Sequence, residues 1–441
     1  MVTGDHPTTA TSIAQMVGII SKDRNLDDVK TVATMTRAQP KPGQKKFKYN
    51  ANDPFIDEAV AVKGSEILDL TDDDWDSILI HKEIAFARTT PEQKLRIVKE
   101  LQRRKHAVAV TGDGVNDAPA LRQADVGVAM GAGSSVACEA ASLVLLNNNF
   151  ASVVAAISMG RLAFENLRKV LLYLLPCGSW AETMAVIGYV FFGLPAPLSS
   201  FLLIYIATVT DLFSSLSLIT EKAETNIMCQ PPRTKTGERL ISVRTIIHSY
   251  LYVGSFSAFW AYLMYFVFYY WEAGITPKQL FFAYDKWNNG EIVSDLNLAT
   301  KLQTQGQAVF FVTIAIVQMG NLFCVRTRYL SLLQHLPVLK KSRNLWMFLA
   351  ALASLTAALL IINVPFLNIA FVTEIIPFQF WLIPIAFGLT MLLLDESRKF
   401  LLRWFMSVLK IRADRKRKRD AAKSFAVAEP DAAAKESAAA L

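Results

Sequence analysis

Val108-Ala-Val-Thr-Gly-Asp-Gly-Val-Asn-Asp-Ala-Pro-Ala-Leu121 decides how the amino-terminal part of this chain folds. β-formers lead into a turn punctuated by Gly112 and Gly114. The turn carries two carboxylates, Asp113 and Asp117, with the amide of Asn116 between them. Pro119 follows where a helix would begin, a position at which a missing N–H does no harm. The reading is a strand that ends in an acidic loop at the carboxyl edge of an α/β sheet, where such sheets place ligands. One or two carboxylates with few other ligands suit Mg²⁺, which keeps waters and shares phosphate oxygens. An ordinary Asp/Asn/Gly turn is the plain alternative for the seven central residues. The spacing is not that of an EF-hand, and no Lys-Ser/Thr follows as in a P-loop.

Outward from that loop, short apolar runs alternate with helical patterns. Ala59–Lys63, Ile84–Ala87, Val108–Val110, Val126–Ala129 and Leu143–Leu146 read as strands. Ile13–Ile20 reads as a short amphipathic helix. Thr71 is an N-cap ahead of Asp72-Asp-Asp74, and Pro91–Arg104 is a helix with Leu95, Val98 and Leu101 on one face. Alternation of this kind predicts an α/β domain around a central, largely parallel sheet. Gln39–Gly43 reads as a turn and Lys45-Lys-Phe-Lys48 as a solvated basic run.

The composition changes after Arg168-Lys169. Six apolar stretches of bilayer-spanning length follow: Val170–Phe192, Leu198–Thr220, Thr245–Tyr270, Ala308–Cys324, Leu345–Pro365 and Phe378–Leu394. Lysine and arginine collect in the loops 221–244 and 325–344 and in the tail, and are missing from Gly193–Pro197 and Asn363–Pro377. That bias puts both chain ends and the soluble domain on the cytoplasmic side. With 52% hydrophobic residues and a net charge of +8 held in short loops and tail, the chain fits a membrane protein and not a nucleic-acid binder. The organisation expected is a cytoplasmic domain over 1–165, an all-α bundle of six transmembrane helices over 166–403, and a tail over 404–441. That tail is first basic, suited to anionic lipid, and then alanine-rich and disordered. Cys138, Cys177, Cys229 and Cys324 form no paired spacing and read as reduced, buried small residues.

Ionisable groups in membrane spans are expensive, so each is a functional candidate. Glu182 lies mid-span in the first helix, and Asp211 mid-span in the second beside Thr208 and Thr210. Pro176 and Gly178 are expected to break the first helix and free carbonyls for a cation. The alternative for both acids is a protonated carboxyl hydrogen-bonded between helices.

The string 108–121 resembles the hinge motif of P-type cation-transporting ATPases. Met1–Ala10 resembles that family's Thr-Gly-Asp segment, Phe86–Lys94 its lysine-bearing segment, and Asn149–Ser152, Gly160-Arg161 and Asn166–Lys169 its connection into the membrane. Asp5-His-Pro7, Glu221–Met228 and Asp395–Lys399 resemble, more narrowly, the sodium/potassium and proton/potassium pump group. The match covers most of residues 1–25 and 80–403.

This resemblance implies a partial HAD-like phosphorylation domain, ATP as substrate of the intact protein, and Mg²⁺ between an aspartyl phosphate and Asp113. Asn116 and Asp117 would support the metal site. Thr3, Gly4 and Asp5 would line the phosphate, and Lys94, otherwise an exposed helix lysine, would place its ammonium on it. The family's Asp-Lys-Thr-Gly-Thr motif does not occur in the 441 residues. The resemblance therefore implies that the amino-terminal part of the pump lies outside this sequence and that the chain alone is inactive. A truncated, non-catalytic binding or regulatory membrane protein is the second reading, and a membrane-anchored phosphatase a third. For transport, the resemblance implies a plasma-membrane location and monovalent cations held by Glu182 and Asp211, with Asn321 a further candidate. Ala207 and Asn321 stand where relatives carry acids. The exoplasmic loop 271–307 lacks the Ser-Tyr-Gly-Gln stretch on which the family's β subunit docks, so a β partner does not carry over.

Overall fold

The computed structural model describes residues 1–37, 39, 55–229, 240–335, 337 and 342–408. The basic run at 45–48, most of the 39–43 turn, the basic residues at 230–239 and 338–341, and the basic and alanine-rich tail beyond 408 fall outside that set. Contacts divide the chain into two units, the first over Met1–Met159 and the second beginning at Gly160.

In the first unit, helix α1 runs over Pro7–Met16. It starts six residues before the Ile13 expected, because Pro7 presets φ for a first helical residue. It ends before Gly18, whose φ of +80° no β-carbon-bearing residue adopts cheaply. Strand β1 is Ile56–Lys63, helix α2 Asp72–Leu79 and strand β2 His81–Ala87. Thr71 caps α2 as expected: its hydroxyl accepts from Asp74 N at 3.3 Å while Asp74 Oδ2 accepts from Thr71 N at 3.1 Å. Helix α3, Pro91–Arg103, is capped in the same reciprocal way by Thr90 and Gln93. Then come β3 Ala109–Gly112, α4 Ala118–Gln123, β4 Val126–Met130, α5 Ser135–Ala140 and β5 Leu143–Leu145.

Every strand pairing is parallel, but the strands form two sheets where one was expected. β1 pairs β2, with Val60 opposite Ile84. Val2 adds a parallel bridge to Phe86 on the far side of β2. The second sheet runs β3-β4-β5, with Thr111 opposite Val128 and Ala129 opposite Val144. Among the described residues β3 is paired on one side only, and its Ala109 and Thr111 are exposed. Trp75, Val60, Val62, Ile67, Ile78, Phe86 and Ile97 make the core beneath the first sheet. Val98, Val108 and Ala120 make a smaller one beneath the second.

Among the described residues six helices are long and apolar enough to cross a membrane: Ser152–Phe192, whose first eight residues belong to the first unit, Ser200–Ile219, Val243–Ala273, Leu296–Arg326, Leu345–Asn363 and Gln379–Val408. Three of them change winding partway. α6 Ser152–Leu175 passes through a π-helical stretch, Pro176–Ala181, into α7 Glu182–Phe192. α8 Ser200–Tyr205 passes through Ile206–Thr210 into α9 Asp211–Ile219. α10 Val243–Ile247 passes through His248–Gly254 into α11 Ser255–Ala273. The remaining spans are α12 Leu296–Arg326, α13 Leu345–Asn363 and α14 Gln379–Val408. The break expected at Pro176–Gly178 is therefore a change of pitch. The helix absorbs the missing Pro176 N–H by widening one turn, as π-bulges do at functional sites. Cys138, Cys229 and Cys324 are free thiols; Cys324 is buried as expected, whereas Cys229 is exposed.

Candidate functional site

Two constellations emerge, one at the strand ends of the first unit and one inside the second. The first begins with the parallel entry of Met1–Thr3 beside β2. Thr3 N donates to Phe86 O at 2.9 Å, and Thr89 N and Oγ1 donate to Thr3 O at 3.1 and 3.0 Å. The next turn is held by its own side chains: Thr3 Oγ1 donates to Asp5 Oδ2 at 2.7 Å, and Arg88 N donates to Asp5 O at 2.9 Å. Gly4 has open space where a β-carbon would stand. Thr3 and Asp5 thus meet the segment that leads into α3.

Capping by Thr90 fixes the first turn of α3 and with it Lys94. Its Nζ lies 2.7 Å from Asp117 Oδ1, with both side chains largely shielded from solvent. A lysine that read equally as a surface residue is thus committed to the acidic loop. Asp117 Oδ2 also accepts from Gly114 N at 3.4 Å. Asp113 O accepts from Ser134 N at 2.8 Å, which anchors the loop to the start of α5. The carboxylate of Asp113 is exposed and makes no hydrogen bond among the described residues, and Asn116 is exposed nearby in sequence. Gly112 is required by close approach: a β-carbon there would stand 2.5 Å from Asp117 Cβ.

Among the described residues no group of three His, Cys, Asp or Glu could hold a metal by itself. A hard cation that keeps most of its waters and takes one or two carboxylates fits the free Asp113. Lys94 is paired with Asp117, and the Asp113 carboxylate in the same loop is left unpaired among the described residues.

The second constellation lies within the spans. Asp211 opens α9 directly after the π-helical stretch and is 1% exposed. Its Oδ2 is buried with no hydrogen-bond partner, as is Glu182 Oε1. A β-carbon on Gly178 would stand 3.1 Å from Asp211 Oδ2, so the first span is shaved to glycine against this carboxylate. Asn321 is fully buried; its Nδ2 donates to Gln318 Oε1 at 3.1 Å, and its Oδ1 has no partner. Gln318 Nε2 donates to Tyr173 O at 2.9 Å. Gln318 thus joins Asn321 to the first span through Tyr173. The Thr208 and Thr210 hydroxyls donate back to Ile204 O and Ile206 O at 2.6 and 2.9 Å.

Gln318 and Tyr173 were not singled out in the sequence. For Gln318 the available signal was an amide inside a long apolar run; Asn321 had been marked by the resemblance alone. Three orphaned buried oxygens between helices need a partner: a proton, a water or a cation.

Comparison with known proteins gives the following likenesses. Residues 195–401 match the family model described as cation transporting ATPase, C-terminus, and residues 50–125 match that of the haloacid dehalogenase-like hydrolases. The potassium-transporting ATPase alpha chain 2 of Rattus norvegicus is 36% identical over 419 residues, covering 92% of this chain and 38% of that protein. The sodium/potassium-transporting ATPase subunit alpha of Hydra vulgaris is 36% identical over 419 residues, covering 91% of this chain and 39% of the relative. Its Drosophila melanogaster counterpart is 35% identical over 416 residues, with 91% and 38% covered. The chain thus spans about two fifths of the length of the curated relatives it matches.

Proposed function

We propose that this chain, which belongs to the P-type cation-transporting ATPases, is the carboxyl-terminal portion of an ATP-driven monovalent-cation pump. It is a multi-pass membrane protein with six spans. The observation that carries the reading is a half-buried Glu182 with buried Asp211, Gln318 and Asn321 in the apolar spans, among which three buried oxygens have no hydrogen-bond partner. Two acids without a lysine or arginine beside them favour a bound monovalent cation or a proton. With Ala207 and Asn321 in place of acids, either fewer cations are carried per cycle than in the sodium/potassium pump or protons serve some of the sites.

In the soluble unit, residues 1–165 supply part of a phosphorylation domain, residues 166–403 the membrane domain and 404–441 a tail. Lys94 neutralises phosphate oxygens as a point charge, and Asp117 holds it in place. Thr3, Gly4 and Asp5 present a hydroxyl, open backbone and a carboxylate to the same phosphate. Asn116 stands on the outer side of the loop. Asp113 would hold Mg²⁺, which supplies charge neutralisation to phosphoryl transfer when bound. The nucleophilic aspartate belongs to a strand outside this chain. The open side of β3 and the open side of Met1–Thr3 support its entry between the two parallel sheets. The intact protein lies in the plasma membrane with both ends of this segment cytoplasmic, and no β subunit is part of the proposal.

The test is ion-dependent phosphorylation of the intact protein. Glu182→Gln and Asp211→Asn should each move the half-maximal ion concentration sharply upward. Wild-type ion dependence in both would make the acids structural and end the proposal.

A further inference from the structure

The cytoplasmic end of α9 is a buried polar knot that the cation site does not use. Glu221, just past α9, and Arg326, the last residue of α12, pair with Nε 3.0 Å from Oε1 and both side chains fully buried. Arg326 also donates to His335 O at 2.5 Å and to Ser342 O. The second carboxylate oxygen of Glu221 accepts from Asn344 Nδ2 at 2.9 Å, and Asn344 further donates to Ser217 O at 3.1 Å. On α6, Asn166 Nδ2 donates to Ile219 O at 2.9 Å and to Glu221 O at 2.7 Å. His335 Nε2 lies 3.7 Å from Glu221 Oε1, and Lys169 lies 3.6 Å from Glu224. The carbonyl end of α9 is thereby held by side chains from α6, α12 and the segment that caps α13.

Burying an ion pair is a weak way to gain stability, because desolvation cancels most of the attraction; its best-attested use is to fix register. The register fixed here is specific. Asp211 precedes Glu221 by ten positions, about 15 Å along a helix, and Gln318 precedes Arg326 by eight, about 12 Å. Both helices run toward the pair, so tying their ends sets Asp211 and Gln318 at nearly the same depth. Above Asp211 the winding turns π-helical, so α9 is a short strut gripped at one end and carrying a candidate cation ligand at the other.

We propose that Glu221 and Arg326 are positioning residues for cation binding: their ion pair sets the axial register of Asp211 against Gln318 and Asn321. This rests on the reading of those residues as the cation site.

The experiment uses the full chain in lipid nanodiscs, titrated with Na⁺ and with K⁺ by calorimetry, alongside thermal unfolding. Glu221→Gln and Arg326→Met should each weaken binding of the preferred ion by about tenfold or more. The double variant should bind no worse than the weaker single variant, because both changes remove one constraint. Arg326→Lys, which keeps a charge but loses the planar fork, should fall between. Should Arg326→Met fail to fold, the double variant, which leaves no unpaired charge, gives the decisive titration. Lowered thermal stability with ion affinity within twofold of wild type would overturn the proposal, as would additive losses in the double variant. Asp211→Asn separates the two readings. If it abolishes binding while the pair variants bind normally, the site stands and the positioning role falls. If wild-type chain binds neither ion, the site falls and the positioning role with it.

Discussion

Gly112→Ala against Gly114→Ala tests the geometry of the acidic loop with one methyl group. At 112 the new β-carbon would stand 2.5 Å from Asp117 Cβ and 2.8 Å from its Cγ and Oδ2. Ordinary contact needs about 3.4 Å or more, so about 0.9 Å of movement is required. The obstacle begins at Asp117 Cβ, close to the backbone, so a rotamer change does not relieve it. The Val115–Asp117 turn must shift, and the 2.7 Å contact with Lys94 shifts with it. Overpacking of this kind costs about 1–3 kcal/mol. At 114 the nearest side-chain atom is Asp117 Oδ2 at 3.7 Å, an ordinary contact, and the methyl group fits. The assay is amide hydrogen exchange over β3 and α4 in the full chain. At 1.36 kcal/mol per decade, Gly112→Ala should raise exchange there by about fivefold to 160-fold, and Gly114→Ala by less than about threefold. Equal protection in the two variants would refute the argument that Gly112 is required by Asp117.

Incubation of the chain with labelled ATP and Mg²⁺ should give no acid-stable phosphoprotein, since covalent catalysis needs its nucleophile; a labelled band would contradict this. In the intact protein, Asp113→Asn removes a hard anionic ligand and should cut turnover steeply with the fold kept; unchanged Mg²⁺ dependence would remove Asp113 from the metal site. Impermeant labels should reach a cysteine placed at Lys286 from outside and one placed at Lys222 only from inside, and the reverse pattern would refute the six-span topology. Burial alone would raise the Glu83 carboxyl, but hydrogen bonds from Ser21 and the charge of Arg24 outweigh it and hold the group below the usual carboxylate range. Stability from that depressed group is present above the range and fades as pH falls through it. Glu83→Gln should therefore unfold at lower temperature than wild type near neutral pH, with the gap closing in acid; a gap that persists at low pH would disprove the linkage.

Local chemistry was legible wherever one residue type had one physical use. The caps and the acidic loop at a strand end follow from hydrogen-bond needs within four residues, and the six spans follow from length and hydropathy. Gln318 was not legible, because its role depends on which helix stands opposite, and an apolar run of α12 looks the same on every face. The π-helical stretch at Pro176–Ala181 escaped for a related reason: a proline in a span says that a hydrogen bond is lost, and the packing decides whether the helix breaks or widens; the stretches at Ile206–Thr210 and His248–Gly254 carry no such mark at all. The split of the sheet also lay beyond local reading, since strands Ile84–Ala87 and Val108–Val110 carry no mark of whether they are neighbours.

The two half-paired parallel sheets have a practical consequence for handling the chain. Val2 is 40% exposed, and β3 has solvent-exposed residues at Ala109 and Thr111. An unpaired strand edge in water is a template for pairing with another copy, and among the described residues β3 carries no proline or bulge that would blunt its free edge. Isolated chain should self-associate through its soluble unit, with a concentration dependence that detergent chosen for the membrane helices does not cure. A short β-forming peptide that occupies the edges should disperse it.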